Sequence, residues 1–255
     1  MRKTRLKPPF AWIGGKTKLS SDIVKMIPKD NQRYIEVFGG ALSVFYAKKP
    51  CKIEVINDIN GELINLHRTI KTNPQTLSFY LNQLLISREI FDNIKTKKLK
   101  PRNNIERASF YLFLITQSFG SKGDSFAMNA KSGWKPKDIY KSYLKWSKRL
   151  KGVTIENKSF EDIIKLYDKQ ESFFYCDPPY VNTETYYKNT NGFWEKEHLL
   201  LATLLHSIKG KFLLSYNDNS FIKELYKNFN IVKSKTIKYT LGKNKKVNEI
   251  FIKNY

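Results

Sequence analysis

Cysteine, histidine and acidic side chains are scarce in this chain, and each scarcity excludes something. Two cysteines occur in 255 residues, Cys51 and Cys176, far apart and in no CxxC pattern. That argues against a disulfide framework and a thiolate metal site, and both residues are expected to be reduced core thiols of a cytosolic protein. The three histidines, His67, His198 and His206, are too scattered to hold a metal ion. His198 and His206 are expected to share one partly exposed helix face. No P-loop is present, which argues against a helicase or a nucleotide hydrolase. Long apolar runs are missing as well: stretches such as 110–115 and 199–205 are too short to span a bilayer. Residues 1–7 are basic and lead into Pro8-Pro9 in place of an apolar stretch, so no secretory signal is expected.

Against 23 acidic side chains stand 46 lysines and arginines, a net charge of +23. Such an excess points to a polyanionic partner, nucleic acid ahead of an anionic membrane. The charge is not spread evenly. Residues 1–18 carry six basic side chains and no acidic one, residues 93–151 fifteen against three, and residues 233–255 seven against one. The remainder is close to neutral, so the chain reads as an ordinary globule with three basic segments. A hydrophobic content of 41% with 14% aromatics is that of a folded protein and not of a disordered one. The length fits one large domain, or a domain carrying an insertion.

No internal repeat or low-complexity tract occurs, and strands alternate with helices. Strands are expected at 33–38, 52–56, 153–156, 172–176 and 211–216, the fourth of them (SFFYC) wholly apolar, as in a buried parallel sheet. Helices are expected from 41, from Asn60 as N-cap to about 71, over 196–208 and over 220–227. Helical periodicity also dominates 74–116. A Gly/Ser/Lys-rich stretch follows at 119–137, then a helix over 138–150. Segments 231–240 and 247–254 alternate apolar and polar residues around a turn at 242–246, a hairpin closing the sheet. The sum is an α/β, Rossmann-like fold with a mainly helical insertion.

Two constellations could carry chemistry. The strand ending at Glu36 runs through Val37-Phe38 into Gly39-Gly40 before a helix, a turn that lets a ligand approach the backbone closely. Asp58 ends the next strand, twenty-two residues after Glu36, where an acidic side chain can accept hydrogen bonds from ribose hydroxyls. The second constellation is more specific. The apolar strand 172–176 leads directly into Asp177-Pro178-Pro179-Tyr180, placing a carboxylate at the strand's carboxyl end. The prolines fix φ and remove N–H donors, so the Pro178 carbonyl is held without a competing donor beside it. A carboxylate, a fixed carbonyl and a ring together make a receptor for a planar group bearing an exocyclic amine.

At these residues the chain resembles a known family. Asp177-Pro178-Pro179-Tyr180 matches the DPPY motif of DNA adenine-N6 methyltransferases. Residues 9–16 (PFAWIGGK) are similar to the Phe-x-Trp-x-Gly-Gly-Lys signature of the Dam-like, or alpha-group, members. Residues 34–45 resemble their cofactor-binding motif and 57–60 their second, in the alpha-group order. Mild departures are Val37, where proline is frequent, and Ala41-Leu42, less glycine-rich than in many relatives.

The resemblance implies that S-adenosylmethionine is held by Trp12, Lys16, Asp58 and Asp177, with Glu36, Phe38, Gly39 and Gly40 completing its site. It implies that Asp177, Pro178, Pro179 and Tyr180 are catalytic. The catalytic domain would comprise 1–70 and 152–255, and the insertion 71–151 would recognise the target in double-stranded DNA. Within the insertion, Lys122, Asn129, Lys131 and Trp134 are candidates for reading bases or filling the space of a flipped base. The setting would be the cytoplasm of a bacterial or phage-infected cell, with or without a cognate restriction endonuclease. Competing readings are a cytosine-N4 or RNA amino methyltransferase and a catalytically inactive DNA-binding relative. The leading Asp of the tetrapeptide, where Ser is common in the cytosine-N4 class, favours adenine.

Overall fold

The computed structural model describes residues 5–127, 139–183, 192–234, 237–238 and 246–255. Its centre is a seven-stranded sheet made of β1 (Arg33–Glu36), β2 (Ile53–Asn57), β3 (Thr154–Glu156), β4 (Ser172–Cys176), β5 (Lys211–Asn217), β6 (Asn230–Lys233) and β9 (Glu249–Lys253). A separate two-stranded ladder joins β7 (Ile237–Lys238) to β8 (Lys246–Val247). The sheet order is β3-β2-β1-β4-β5-β9-β6, parallel except for β9, which runs antiparallel to both β5 and β6. The terminal strands thus pair as expected, with β9 wedged between β5 and β6. Residues 242–245 of the expected turn lie outside the described residues.

Strand β4 shows why its sequence is apolar throughout. Phe173 and Tyr175 join the core on one face of the sheet, while Phe174 and Cys176 join the core on the other. Because both faces are covered, every position is buried and the polar alternation of a half-exposed strand is absent. The first face is covered by α1 (Ser20–Met26), α2 (Ser43–Ala47), α3 (Gly61–Thr72), α4 (Pro74–Asn82), α5 (Arg88–Lys95), α6 (Asn104–Gln117) and α7 (Leu144–Leu150). The second is covered by α8 (Phe160–Tyr167), α9 (Glu195–Ser207) and α10 (Ser220–Leu225). Helices α4, α6 and α7 pack on or beside α3, and their Leu77, Leu81, Phe113 and Trp146 share one core with Tyr34, Ile56 and Phe173 of the sheet. Among the described residues no helix is long and apolar enough to cross a membrane.

The caps follow the sequence. The Asn60 side chain accepts from the N–H groups of Glu62 (3.0 Å) and Leu63 (3.2 Å), and Asn103 and Asn219 cap α6 and α10 in the same way. Several local expectations are corrected. Helix α7 starts only at Leu144, because residues 139–143 are drawn into tertiary contacts. Tyr140 Oη donates to the Leu84 carbonyl at 2.7 Å, Lys141 Nζ to that of Pro9 at 2.6 Å, and Ser78 Oγ to that of Lys141 at 3.0 Å. Helices α1 and α8 are not expected from the sequence; α1 buries Ile23, and α8 buries Phe160, Ile163 and Ile164. Cys176 is a buried free thiol, but Cys51 is only half-buried, since it precedes β2 at the sheet margin. His198 is fully buried in α9 while His206 stays largely exposed, so they do not share a partly exposed face.

Candidate active site

The order of the sheet reverses between β1 and β4: the chain proceeds outward through β2 in one direction and through β5 in the other. Ligand crevices form outside the carboxyl ends of strands at such a switch point. A cavity of about 710 Å³ opens there, lined by the ends of β1, β2 and β4 and by the Trp12–Lys16 segment. All eight residues expected at a cofactor site line it: Trp12, Lys16, Glu36, Phe38, Gly39, Gly40, Asp58 and Asp177.

The glycine turn is built by close backbone approach. Gly39 N–H donates to the Asn57 carbonyl at 2.7 Å, and a Cβ at Gly39 would come within 2.8 Å of that same oxygen. Gly40 has a φ of +50°, and a Cβ there would meet the Trp12 ring at 2.9 Å. The Gly40 N–H donates to Asp58 Oδ2 and the Asn60 N–H to Asp58 Oδ1, both at 2.9 Å. Burial raises the Asp58 pKa, while these backbone donors act in the opposite direction. Beneath the turn, His67 Nε2 lies 2.8 Å from the Gly40 carbonyl, with its ring stacked on Phe10. Burial pushes the His67 pKa down to about 4, so the imidazole is neutral.

The tetrapeptide after β4 is tied to residues far away in sequence. Asp177 Oδ1 lies 2.8 Å from Lys16 Nζ and accepts from Ser215 Oγ at 2.8 Å. Burial raises the Asp177 pKa, Lys16 and Ser215 oppose this, and the carboxylate of Glu249 reinforces it. Burial also works against the charge of Lys16, but Asp177 and Glu249 outweigh it, leaving the lysine pKa raised. Lys16 Nζ stands 4.7 Å from the Tyr180 ring centroid, and the Tyr180 ring packs on Tyr216 at 5.8 Å. Of the four expected catalytic residues, Asp177 and Pro179 line the cavity, Pro178 is buried behind it, and Tyr180 lies beside Lys16 and Tyr216.

Glu36 accepts from Tyr34 Oη at 2.6 Å and from the backbone of Phe45 at the start of α2. Burial pushes its carboxyl up to about 8, with Asp177 adding to the shift and the Tyr34 hydrogen bond opposing it. The opposite wall is aromatic. Phe38 stacks on Phe160 at 5.8 Å and meets Phe193 edge-on at 5.7 Å. Asn57 orients this wall: its Nδ2 donates to the carbonyls of Val37 and Lys158, and its Oδ1 accepts from Lys158 N–H.

The basic segment 93–151 divides between the two ends of the sheet. Lys95 and Lys122 line the cavity at the carboxyl end, whereas Lys148, Arg149 and Lys151 gather with Lys52 at the amino end of β2. Residues 95–100, at the end of α5, are all exposed. Of the candidate base-reading residues, Lys122 lies at the cavity, and Asn129, Lys131 and Trp134 lie outside the described residues. Beside Lys122, the 58% exposed Phe119 precedes a turn in which Gly120 and Ser121 both have positive φ.

Sequence reading missed Ser215, Glu249, Phe160 and Phe193, and gave Asn57 no role beyond its place in the 57–60 stretch. Phe160 and Phe193 carry no local signal beyond being apolar. Ser215, a polar residue inside an otherwise apolar strand (KFLLSYN), could have been noticed.

An α/β sheet with a glycine turn, an acidic strand end and a carboxylate–proline loop around one cavity defines a Rossmann-like transferase of the methyltransferase class. The model of the D12 class N6 adenine-specific DNA methyltransferase family matches residues 12–240, and the chain belongs to that family. It is 28% identical over 281 residues to a Type II methyltransferase of Lactococcus lactis subsp. cremoris, covering 99% of this chain and 97% of the relative. A Type II methyltransferase of Methanocaldococcus jannaschii is 30% identical over 288 residues, with 98% and 99% covered. The DNA adenine methylase of Haemophilus influenzae is 27% identical over 245 residues, with 88% and 84% covered. The protein is an adenine-specific DNA methyltransferase acting at N6, and the cytosine-N4 and RNA readings are set aside.

Proposed function

We propose that the protein takes a methyl group from S-adenosylmethionine and places it on the N6 amine of an adenine turned out of double-stranded DNA. The observation that carries this reading is the meeting of Asp177, Lys16 and Ser215 at the wall of the cavity whose far side is formed by Asp58 and the glycine turn. The residues present fit the cofactor. The cavity has the size of a small-molecule site. Gly39 and Gly40 let the turn pack closely against Asn57 and Trp12 at the cavity wall, and each Asp58 oxygen accepts one backbone N–H and has a further lone pair for a ribose hydroxyl. Trp12, Lys16, Glu36 and Phe38 would surround the remainder.

When bound, S-adenosylmethionine supplies an electrophilic methyl group on a sulfonium. The rest is alignment and electrostatics by the chain. The adenine amine is a weak nucleophile because its lone pair is delocalised into the ring. Asp177 and the Pro178 carbonyl accept its two N–H bonds, favour a pyramidal nitrogen and stabilise the positive charge that develops there; once methylated, the nitrogen releases one of these protons through Asp177 to solvent. Lys16 and Ser215 both hold Oδ1, which leaves Oδ2 of Asp177 for the amine. Tyr180 stacks on the base. Turning the base out costs a few kcal/mol, and the basic mouth at Lys95 and Lys122 binds backbone phosphates. Residues 71–151 serve target recognition.

Asp177→Ala tests this reading by methyl transfer to DNA, with circular dichroism to verify folding. The rate should fall by about 10²-fold or more. A folded variant that methylates DNA at close to the wild-type rate would sink the assignment.

A further inference from the structure

The amino end of α9 touches both halves of the site. Phe193, just before the helix, forms part of the aromatic wall with Phe38 and Phe160. His198, one turn into the helix and 1% exposed, lies edge-on to Phe193 at 4.8 Å between ring centroids. On its other side, His198 Nδ1 is 2.6 Å from the hydroxyl of Tyr216, a fully buried residue of β5. The Tyr216 ring in turn backs that of Tyr180 in the tetrapeptide loop. A continuous row of packed rings therefore runs from the cofactor wall, through one hydrogen bond, to the ring beside Lys16 and Asp177.

Tyr216 is fully buried, so its hydroxyl must have a partner away from water. The hydrogen bond to His198 supplies that partner and ties the phenol to α9. The ring behind Tyr180 is thereby held still, and so is the surface against which Tyr180 itself is set. Geometric error of even ~1 Å in an aligned site costs orders of magnitude in rate, so such backing matters for chemistry more than for stability.

We infer that His198 is a positioning residue for methyl transfer, which through Tyr216 fixes the orientation of Tyr180 toward the target base. The inference rests on the reading that Tyr180 stacks on the adenine.

The experiment compares His198→Phe, His198→Asn and Tyr180→Leu with the wild type in kcat, in the KM for DNA and in calorimetric affinity for S-adenosylmethionine. Phenylalanine keeps the ring packing and removes the hydrogen bond; asparagine returns a polar atom close to the place of Nδ1. His198→Phe should lower kcat roughly tenfold, the worth of one hydrogen bond, while cofactor affinity changes less than about twofold. His198→Asn should restore most of the loss, and Tyr180→Leu should lower kcat at least as far as His198→Phe. If His198→Phe does not fold, Tyr216→Phe breaks the same bond from its other end and is read in the same way. Wild-type kcat in a folded His198→Phe protein overturns the inference, as does a loss that asparagine fails to restore or that cofactor affinity shares. If Tyr180→Leu has no effect, the stacking reading fails and takes the inference with it. If Tyr180→Leu is slow and His198→Phe is not, only the inference fails.

Discussion

The ammonium of Lys16 lies 2.8 Å from Oδ1 of Asp177, although a glycine turn near the start of the chain carries one and the end of β4 the other. Lys16 is 4% exposed, so the pair is screened little by water. Its consequence is the charge state of Asp177. Burial and the nearby Glu249 raise the carboxyl's pKa, and Lys16 is the first of the groups that pull it back. In the proposed mechanism it is the carboxylate form that accepts the amine, so kcat should decline as pH falls through that pKa. Lys16→Met removes the opposing cation, so the acid limb of the pH–kcat profile should move to higher pH. The measurement is kcat against pH at saturating cofactor, which separates this effect from weaker cofactor binding. An unmoved acid limb would show that Lys16 does not govern the ionisation.

Glu36 makes the cofactor-free protein sensitive to alkali. Burial lifts its carboxyl from 4.5 to about 8, so at neutral pH the folded chain keeps a proton that the unfolded chain releases. Stability from this group is complete below pH 4.5 and is lost as pH rises toward about 8. Within that window the slope for one such group is about 1.4 kcal/mol per pH unit. Urea unfolding at several pH values should show the decline in the wild type and a flatter profile in Glu36→Gln. Equal slopes in the two proteins would mean that Glu36 is already ionised when folded.

Much of this site is legible in the sequence because its parts are local words. Asp177-Pro178-Pro179-Tyr180 follows an apolar strand directly, and Gly39-Gly40 and Asp58 each end a strand, so the strand ends alone place them around one crevice. Asn60 caps α3 because capping is decided within three residues. What connects these words is not local. The bonds of Asp177 to Lys16 and Ser215, and of His198 to Tyr216, depend on which strands, loops and helices the tertiary fold brings together, and no spacing encodes that. Helix α7 is shorter than its periodicity predicts for the same reason: residues 139–143 have helical periodicity but satisfy partners on α4 and the N-terminal segment. The charge count misled in a similar way, because it cannot tell a cation facing DNA from one already held inside the fold.

Arg149 is such a cation. It belongs to the most basic segment, yet its guanidinium grips Glu54 through Nη1 at 2.6 Å and Nη2 at 2.8 Å, and lies 3.8 Å from the Phe45 ring centroid. Lys48 Nζ bonds Oε1 of the same carboxylate. Burial disfavours the charge on Glu54, but Arg149 and Lys48 outweigh it and lower the pKa. Glu54→Ala would strand two cations in a poorly hydrated place, at a cost of roughly 3–5 kcal/mol. Because the folded pKa is depressed, the contribution is present above about pH 4.5 and lost as pH falls through the folded value, so the two proteins should converge in acid. Glu54 lies near the amino end of β2, away from the cavity at its carboxyl end, so the variant should keep its kcat at temperatures where it remains folded. Urea midpoints for wild type and variant at pH 7, and at a series of pH values falling well below 4.5, test this. A variant as stable as the wild type at pH 7 would mean that Arg149 and Lys48 find water instead.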